Sequence, residues 1–211
     1  MNAADLLKGI KVVPVVVIED PELAVPLAET LLNSGLPAIE VTLRTPRALE
    51  AIKAIIEQVP DMIVGAGSVR NAEQVVAVSE AGVKFAVCPG FSPALLDAVA
   101  EASLPFVPGA ITPSESLQLL ERGYTLQKFF PAEVAGGIAY LKSLGAPLPE
   151  VKVMPTGGVK PDNLASYLAL DNVACVGGTW VAPSALLNDR DFAQIGRIAR
   201  DAAAFSEVKQ S

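Results

Sequence analysis

Short runs of β-branched and apolar residues return along this chain at a regular interval, each followed by a longer stretch of helical period. KVVPVVVI precedes PELAVPLAETLLNSG, AIEVTLR precedes PRALEAIKAIIEQ, and MIVGAGS precedes NAEQVVAVSEAG. The rhythm continues through FAVCPG, PFVPGA, TLQKFFPA, VKVMPTGG and VACVGGTW. Strands joined through helices imply right-handed crossovers and a parallel sheet. Eight such units, spaced by roughly 20 to 25 residues, predict an α/β fold of the closed (β/α)8 TIM-barrel type, with an N-terminal helix around Asn2 to Lys8. The pattern alone also admits a doubly wound open sheet. No linker, low-complexity segment or charge block interrupts the rhythm, so residues 1–211 read as a single domain, and an apolar share of 51% suffices for a large core.

The charge balance excludes several functions. A net charge of −7 with no basic run argues against nucleic acid and against anionic membrane surfaces as partners. The N-terminal MNAADLLKGIKVVPVVVIEDPELA has an apolar run of seven residues, broken by Pro14 and followed by acids, so neither a signal peptide nor a membrane span is expected. Cys88 and Cys175 lie far apart in apolar runs and form no CxxC pair, which reads as two buried reduced thiols in a cytoplasmic protein. With no histidine and no carboxylate cluster on one strand, neither a metal nor a cofactor is expected.

In a barrel of this type the chemistry lies at the C-terminal ends of the strands, so polar residues there are informative. Strand parity in AIEVTLR sets Ile39, Val41 and Leu43 under the helices and turns Glu40, Thr42 and Arg44 inward. The same parity in TLQKFFPA turns Leu126, Lys128 and Phe130 inward. A lysine beside two phenylalanines is costly to bury unless it is paired or functional. Lys128, Glu40 and Arg44 are thus expected to converge, either as a structural ion network or as a reactive site.

EVTLRT, GAGSV, CPGFS, KFFPAE, PTGGV and GGTW, in this order and spacing, resemble 2-keto-3-deoxy-6-phosphogluconate (KDPG) aldolases, and the likeness runs from about Val13 to Phe205. The resemblance implies a cytoplasmic (β/α)8 homotrimer. Such an enzyme splits its phosphorylated keto-deoxy sugar acid into pyruvate and glyceraldehyde 3-phosphate through a lysine Schiff base, and is often active on 4-hydroxy-2-oxoglutarate (KHG) as well. Lys128 matches the Schiff-base lysine and Glu40 the proton-transfer residue. Apolar Phe129 and Phe130 and the cation of Arg44 are expected to favour its neutral amine, which for a free lysine is only about 0.1% of the population at neutral pH. Glu133 competes with Glu40 for the acid–base role but is read as a helix-capping acid.

Arg44 fits the pyruvate carboxylate, since guanidinium and carboxylate pair bidentately. Gly157 and Gly158 after the seventh strand, with Gly177, Gly178 and Thr179 after the eighth, stand where barrels commonly bind phosphate. These loops are expected to face Lys128 across the mouth. Gly65-Ala66-Gly67-Ser68 is expected to line the substrate chain, with Ser68 offering a hydroxyl, while Pro89, Phe130 and Thr156 shape the pocket. Three other readings stay open: an aldolase for the galactonate epimer, a sugar-phosphate isomerase without an imine, and a non-catalytic binding barrel.

Overall fold

The computed structural model describes residues 2–205. Met1 and residues 206–211, which belong to the expected 1–211 domain, lie outside the described residues. The elements alternate as the sequence predicts. Helix α1 (Ala3–Leu6) precedes β1 (Val12–Val16), α2 (Ala24–Asn33), β2 (Ala38–Thr42), α3 (Ala48–Gln58), β3 (Ile63–Gly67), α4 (Ala72–Glu80), β4 (Phe85–Val87) and α5 (Pro93–Glu101). They continue as β5 (Phe106–Val107), α6 (Pro113–Glu121), β6 (Leu126–Phe129), α7 (Gly137–Gly145), β7 (Lys152–Pro155), α8 (Pro161–Leu168), β8 (Val176–Gly178), α9 (Ser184–Asn188) and α10 (Phe192–Ala204).

All pairings are parallel. A six-stranded sheet runs in the order β5-β4-β3-β2-β1-β8, and β6 pairs with β7 in a second sheet. Isolated bridges close the two seams, Gly109 to Lys128 on one side, and Val153 to Val173 and Thr156 to Gly177 on the other. Prolines account for the thin first seam. Pro105 and Pro108 flank the two-residue β5, and a proline has no N–H to extend a ladder. What remains there is Lys128 N–H donating to Pro108 O at 2.8 Å and Ala110 N–H donating to Lys128 O at 2.9 Å.

Alternation along the strands separates two cores. Ile39, Val41, Val64, Ala66, Phe129 and Val153 face the helices in one large cluster. Val13, Ala38, Phe85, Val87, Val107, Leu126, Met154 and Cys175 face the other way and pack together, with Ala3 of α1 and Leu7 at its C-terminal cap closing over them. The short N-terminal helix thus plugs one end of the strands. Phe85 lies flush against Gly65, where an added Cβ would overlap its ring.

Candidate active site

The neighbours of Lys128 decide where it points. Gln127 faces the helices, its Nε2 donating to Ser116 O at 3.2 Å and Tyr124 O at 3.1 Å. Phe129, on the same side, stacks on Tyr140 with ring centroids 5.5 Å apart and planes 9° apart. Lys128 between them is driven inward and is only 5% exposed. Its Nζ meets Glu40 Oε1 at 3.1 Å and lies 5.7 Å from the Phe130 ring centroid.

Glu40 is fully buried, and its Oε2 has no hydrogen-bond partner among the described residues. The carboxyl fits because Gly67 on the adjacent strand has no side chain; a Cβ there would collide with Oε1. Leaving a buried carboxylate oxygen unpaired is costly, so the arrangement is suited to a site that completes its hydrogen bonding with a ligand.

Phe130 also borders a cavity of about 410 Å³, lined with it by Leu43, Arg44, Ser68, Arg70 and Pro89. That volume is in the range of small-molecule sites. A second cavity of about 400 Å³ lies at the opposite end, against Leu7, Lys8, Lys11, Lys152 and Asp171. Among the described residues it has no buried ion pair, and Lys152 is exposed there as the strand polarity predicts.

Several expectations need correction. Arg44 lies in the turn beyond β2 and not on the strand, exposed at the cavity, and the charged group in contact with Lys128 is the Glu40 carboxylate. Phe129 supports the helix layer instead of walling the lysine. Gly65, Ala66 and Gly67 are part of β3; only Ser68 of that run reaches the cavity, turned there by a positive φ of 60°. Glu133 caps no helix: α7 begins after Gly136 with no side-chain cap. Its Oε1 instead accepts from the Tyr167 hydroxyl, whose pKa is pushed far above the ordinary tyrosine range by burial and then by this carboxylate.

The expected phosphate residues fall into two kinds. Gly177 and Gly178 are buried within β8, leaving room for Thr156 and the Trp180 ring respectively. Gly157 and Gly158 form the turn after β7 with φ of 95° and 85°. That turn is adjacent to the lysine loop and not across from it: Ala132 N–H donates to Thr156 O at 2.8 Å and Glu133 N–H to Gly157 O at 3.1 Å. No hydrogen bond from the N–H of Gly158 or Thr179 is made among the described residues. Thr156 is buried at 3% exposure, facing inward beside Gly177.

Sequence reasoning missed Arg70. It follows the GAGSV motif directly, and only the turn at Ser68 brings it to the cavity.

The family model for KDPG and KHG aldolase matches residues 3–198. The chain belongs to the KDPG and KHG aldolase family. Its relatives include the 2-dehydro-3-deoxy-phosphogluconate aldolase of Pseudoalteromonas atlantica, 44% identical over 97% of this chain and 95% of that one. The KHG/KDPG aldolase of Escherichia coli K12 is 43% identical over 95% of this chain and 94% of its own. Among solved structures, the KDPG aldolase of Legionella pneumophila, with pyruvate captured at low pH as a covalent carbinolamine intermediate, superposes with a TM-score of 0.93 at 40% identity. That likeness covers 96% of this chain and 98% of the other. Among the described residues no helix is long and apolar enough to cross a membrane.

Proposed function

We propose that this chain is a class I aldolase cleaving KDPG to pyruvate and glyceraldehyde 3-phosphate through a Schiff base on Lys128, and cleaving KHG to pyruvate and glyoxylate at the same site. The buried Lys128–Glu40 pair at 3.1 Å, with one carboxylate oxygen unpartnered and with Phe130 linking the lysine to a substrate-sized cavity, carries this reading. A proton passes from the ammonium to Glu40, and the neutral amine adds to the C2 carbonyl. Glu40 returns the proton to the departing hydroxyl, so water leaves and an iminium forms. The carboxylate then removes the C4 hydroxyl proton; the C3–C4 bond breaks, its electrons neutralise the iminium as an enamine, and the aldehyde departs. Protonation at C3 and hydrolysis release pyruvate and restore the pair.

Arg44 holds the C1 carboxylate, Ser68, Pro89, Phe130 and Thr156 shape the pocket, and the phosphate rests at Gly157, Gly158, Gly177, Gly178 and Thr179. The unengaged N–H groups of Gly158 and Thr179 support that last assignment. The eight strands act as one closed (β/α)8 barrel in a single domain, a reading supported by the bridges at Lys128 and Thr156. Assembly as a homotrimer and a cytoplasmic location complete the proposal. The isomerase and binding-barrel alternatives give a buried lysine–carboxylate pair no task.

The deciding experiment is borohydride reduction in the presence of pyruvate. A reduced three-carbon adduct on Lys128, with loss of activity, is the expected result; label on Lys142 or Lys152, or none, overturns the proposal. Rates with the gluconate and galactonate epimers side by side assign the C4 configuration.

A further inference from the structure

Two cations share the cavity, and the reaction as proposed uses one of them. Arg44 and Arg70 both line it. Of the other arginines, Arg47 pairs with Glu50, Arg122 with Asp97 and Arg190 with Asp20 and Glu22, Arg197 donates to Gln194 Oε1, and Arg200, which meets no carboxylate among the described residues, is exposed on α10 away from the cavity lining. Neither Arg44 nor Arg70 meets a carboxylate among the described residues, in a chain that carries 23 acids against 16 bases. A guanidinium left unmatched in an acidic protein, inside a concave site, is a docking group for an anion that comes and goes.

The backbone fixes where Arg70 stands. Ser68 turns the chain at its positive φ, and Val69 is then buried with its N–H on Val87 O at 3.1 Å. The Arg70 N–H donates to Gln74 Oε1 at 2.7 Å, and Asn71 caps α4 immediately afterwards. The residue is therefore pinned on both sides while its side chain remains exposed at the cavity. Burial pushes the Cys88 thiol up, and the Lys128 ammonium and the Arg70 guanidinium both act on it in the opposite sense. The imine nitrogen and this second arginine thus lie within electrostatic reach of one sulfur atom.

From this placement we infer that Arg70 is the specificity-determining residue for short diacid substrates, receiving the distal carboxylate of a 4-hydroxy-2-oxo diacid while Arg44 holds the carboxylate next to the ketone. The inference rests on the Schiff-base reading above. A five-carbon diacid has its two carboxylates at opposite ends of a chain short enough to bridge two arginines of one cavity. KDPG is longer and sends its phosphate to the loops after β7 and β8, so it leaves Arg70 unengaged. One scaffold then accepts two distal anions by directing them to different strands.

The test compares the ratio of kcat/KM for KHG to that for KDPG in wild type, Arg70→Gln and Arg70→Lys. The Gln variant is expected to lower this ratio about tenfold or more, through a raised KM for the diacid, as follows from losing a charge-assisted hydrogen bond. The Lys variant, which keeps the charge, should recover much of it. In the condensation direction, glyoxylate should lose ground to an uncharged aldehyde by a similar factor. An unchanged ratio would make Arg70 an ordinary surface charge and overturn the inference. A raised ratio would assign it to the phosphate, which overturns it equally. Borohydride trapping of pyruvate on the wild-type protein tests the Schiff-base reading separately, so a failure there is distinguishable from a failure here.

Discussion

The inward-facing residues of the strands fall into two halves that obey the same parity and differ in everything else. Toward α1 the interior is filled with Phe85, Leu126, Met154 and Cys175, side chains that need only to fit. Two residues further along, Lys128 follows Leu126, Thr156 follows Met154 and Glu40 follows the inward Ala38 of β2. The first half is built as a core and the second as a site, and the contrast shows that depth along a strand, not the face, divides structure from chemistry. Glycines serve both halves by the same device: Gly65 makes room for the Phe85 ring and Gly67 for the Glu40 carboxyl.

Breaking the site half should cost rate and, when done one-sidedly, stability as well. Lys128→Met is expected to reduce cleavage by about 10⁴ or more. It also leaves the Glu40 charge buried alone, a loss of about 3–5 kcal/mol seen in denaturant unfolding. Adding Glu40→Leu should restore much of that stability and none of the activity, because an apolar pair of similar volume avoids the desolvation of two charges. A double variant less stable than the single would mean that the pair holds the fold together and has been misread as a site.

The two glycines sharpen the comparison. Gly67→Ala displaces the Glu40 carboxyl and should lower kcat by roughly the 10² typical of a misplaced acid–base group. Gly65→Ala crowds Phe85 and should cost about 1–3 kcal/mol of stability, with kcat in the folded fraction retained. Equal losses of activity in both would erase the distinction between the halves.

Cys175 tests the core half by pH. Burial pushes its thiol to about 12, above the ordinary thiol range. The unfolded chain loses this proton first, so the stability present below about pH 9 should decline as pH rises toward 12, by about 1.4 kcal/mol per unit for one proton. Cys175→Ala should flatten that alkaline decline, measured by unfolding at successive pH values; an unchanged slope would place its cause elsewhere. The smallest effect is expected outside both halves. Arg47→Ala removes an exposed ion pair with Glu50 and should leave both the unfolding midpoint and the rate almost unchanged.

Much of this was legible in the sequence because period and parity are properties of the backbone. The eight alternations, the inward turn of Glu40 and Lys128, and the outward turn of Ile39 and Val41 all follow from counting. What counting cannot show is where a strand stops. AIEVTLR reads as seven residues of strand, yet the ladder ends at Thr42 and Arg44 lies in the turn. Glycine is ambiguous for a physical reason: the absence of a side chain serves a turn at Gly158 and a neighbour's bulk at Gly67, and the letter is the same. Arg70 was hidden because its reach depends on one left-handed residue, and serine there gives no signal that φ will be positive.

The division of the strands into a sheet of six and a sheet of two has a consequence for how activity arises during folding. Glu40 belongs to the larger unit and Lys128 to the smaller, so the reacting pair has one member on each. Neither unit alone holds both the proposed nucleophile and its proposed proton acceptor. On the proposed mechanism turnover works as a coincidence detector: it needs both units formed and docked, and an opening of either seam is expected to silence it.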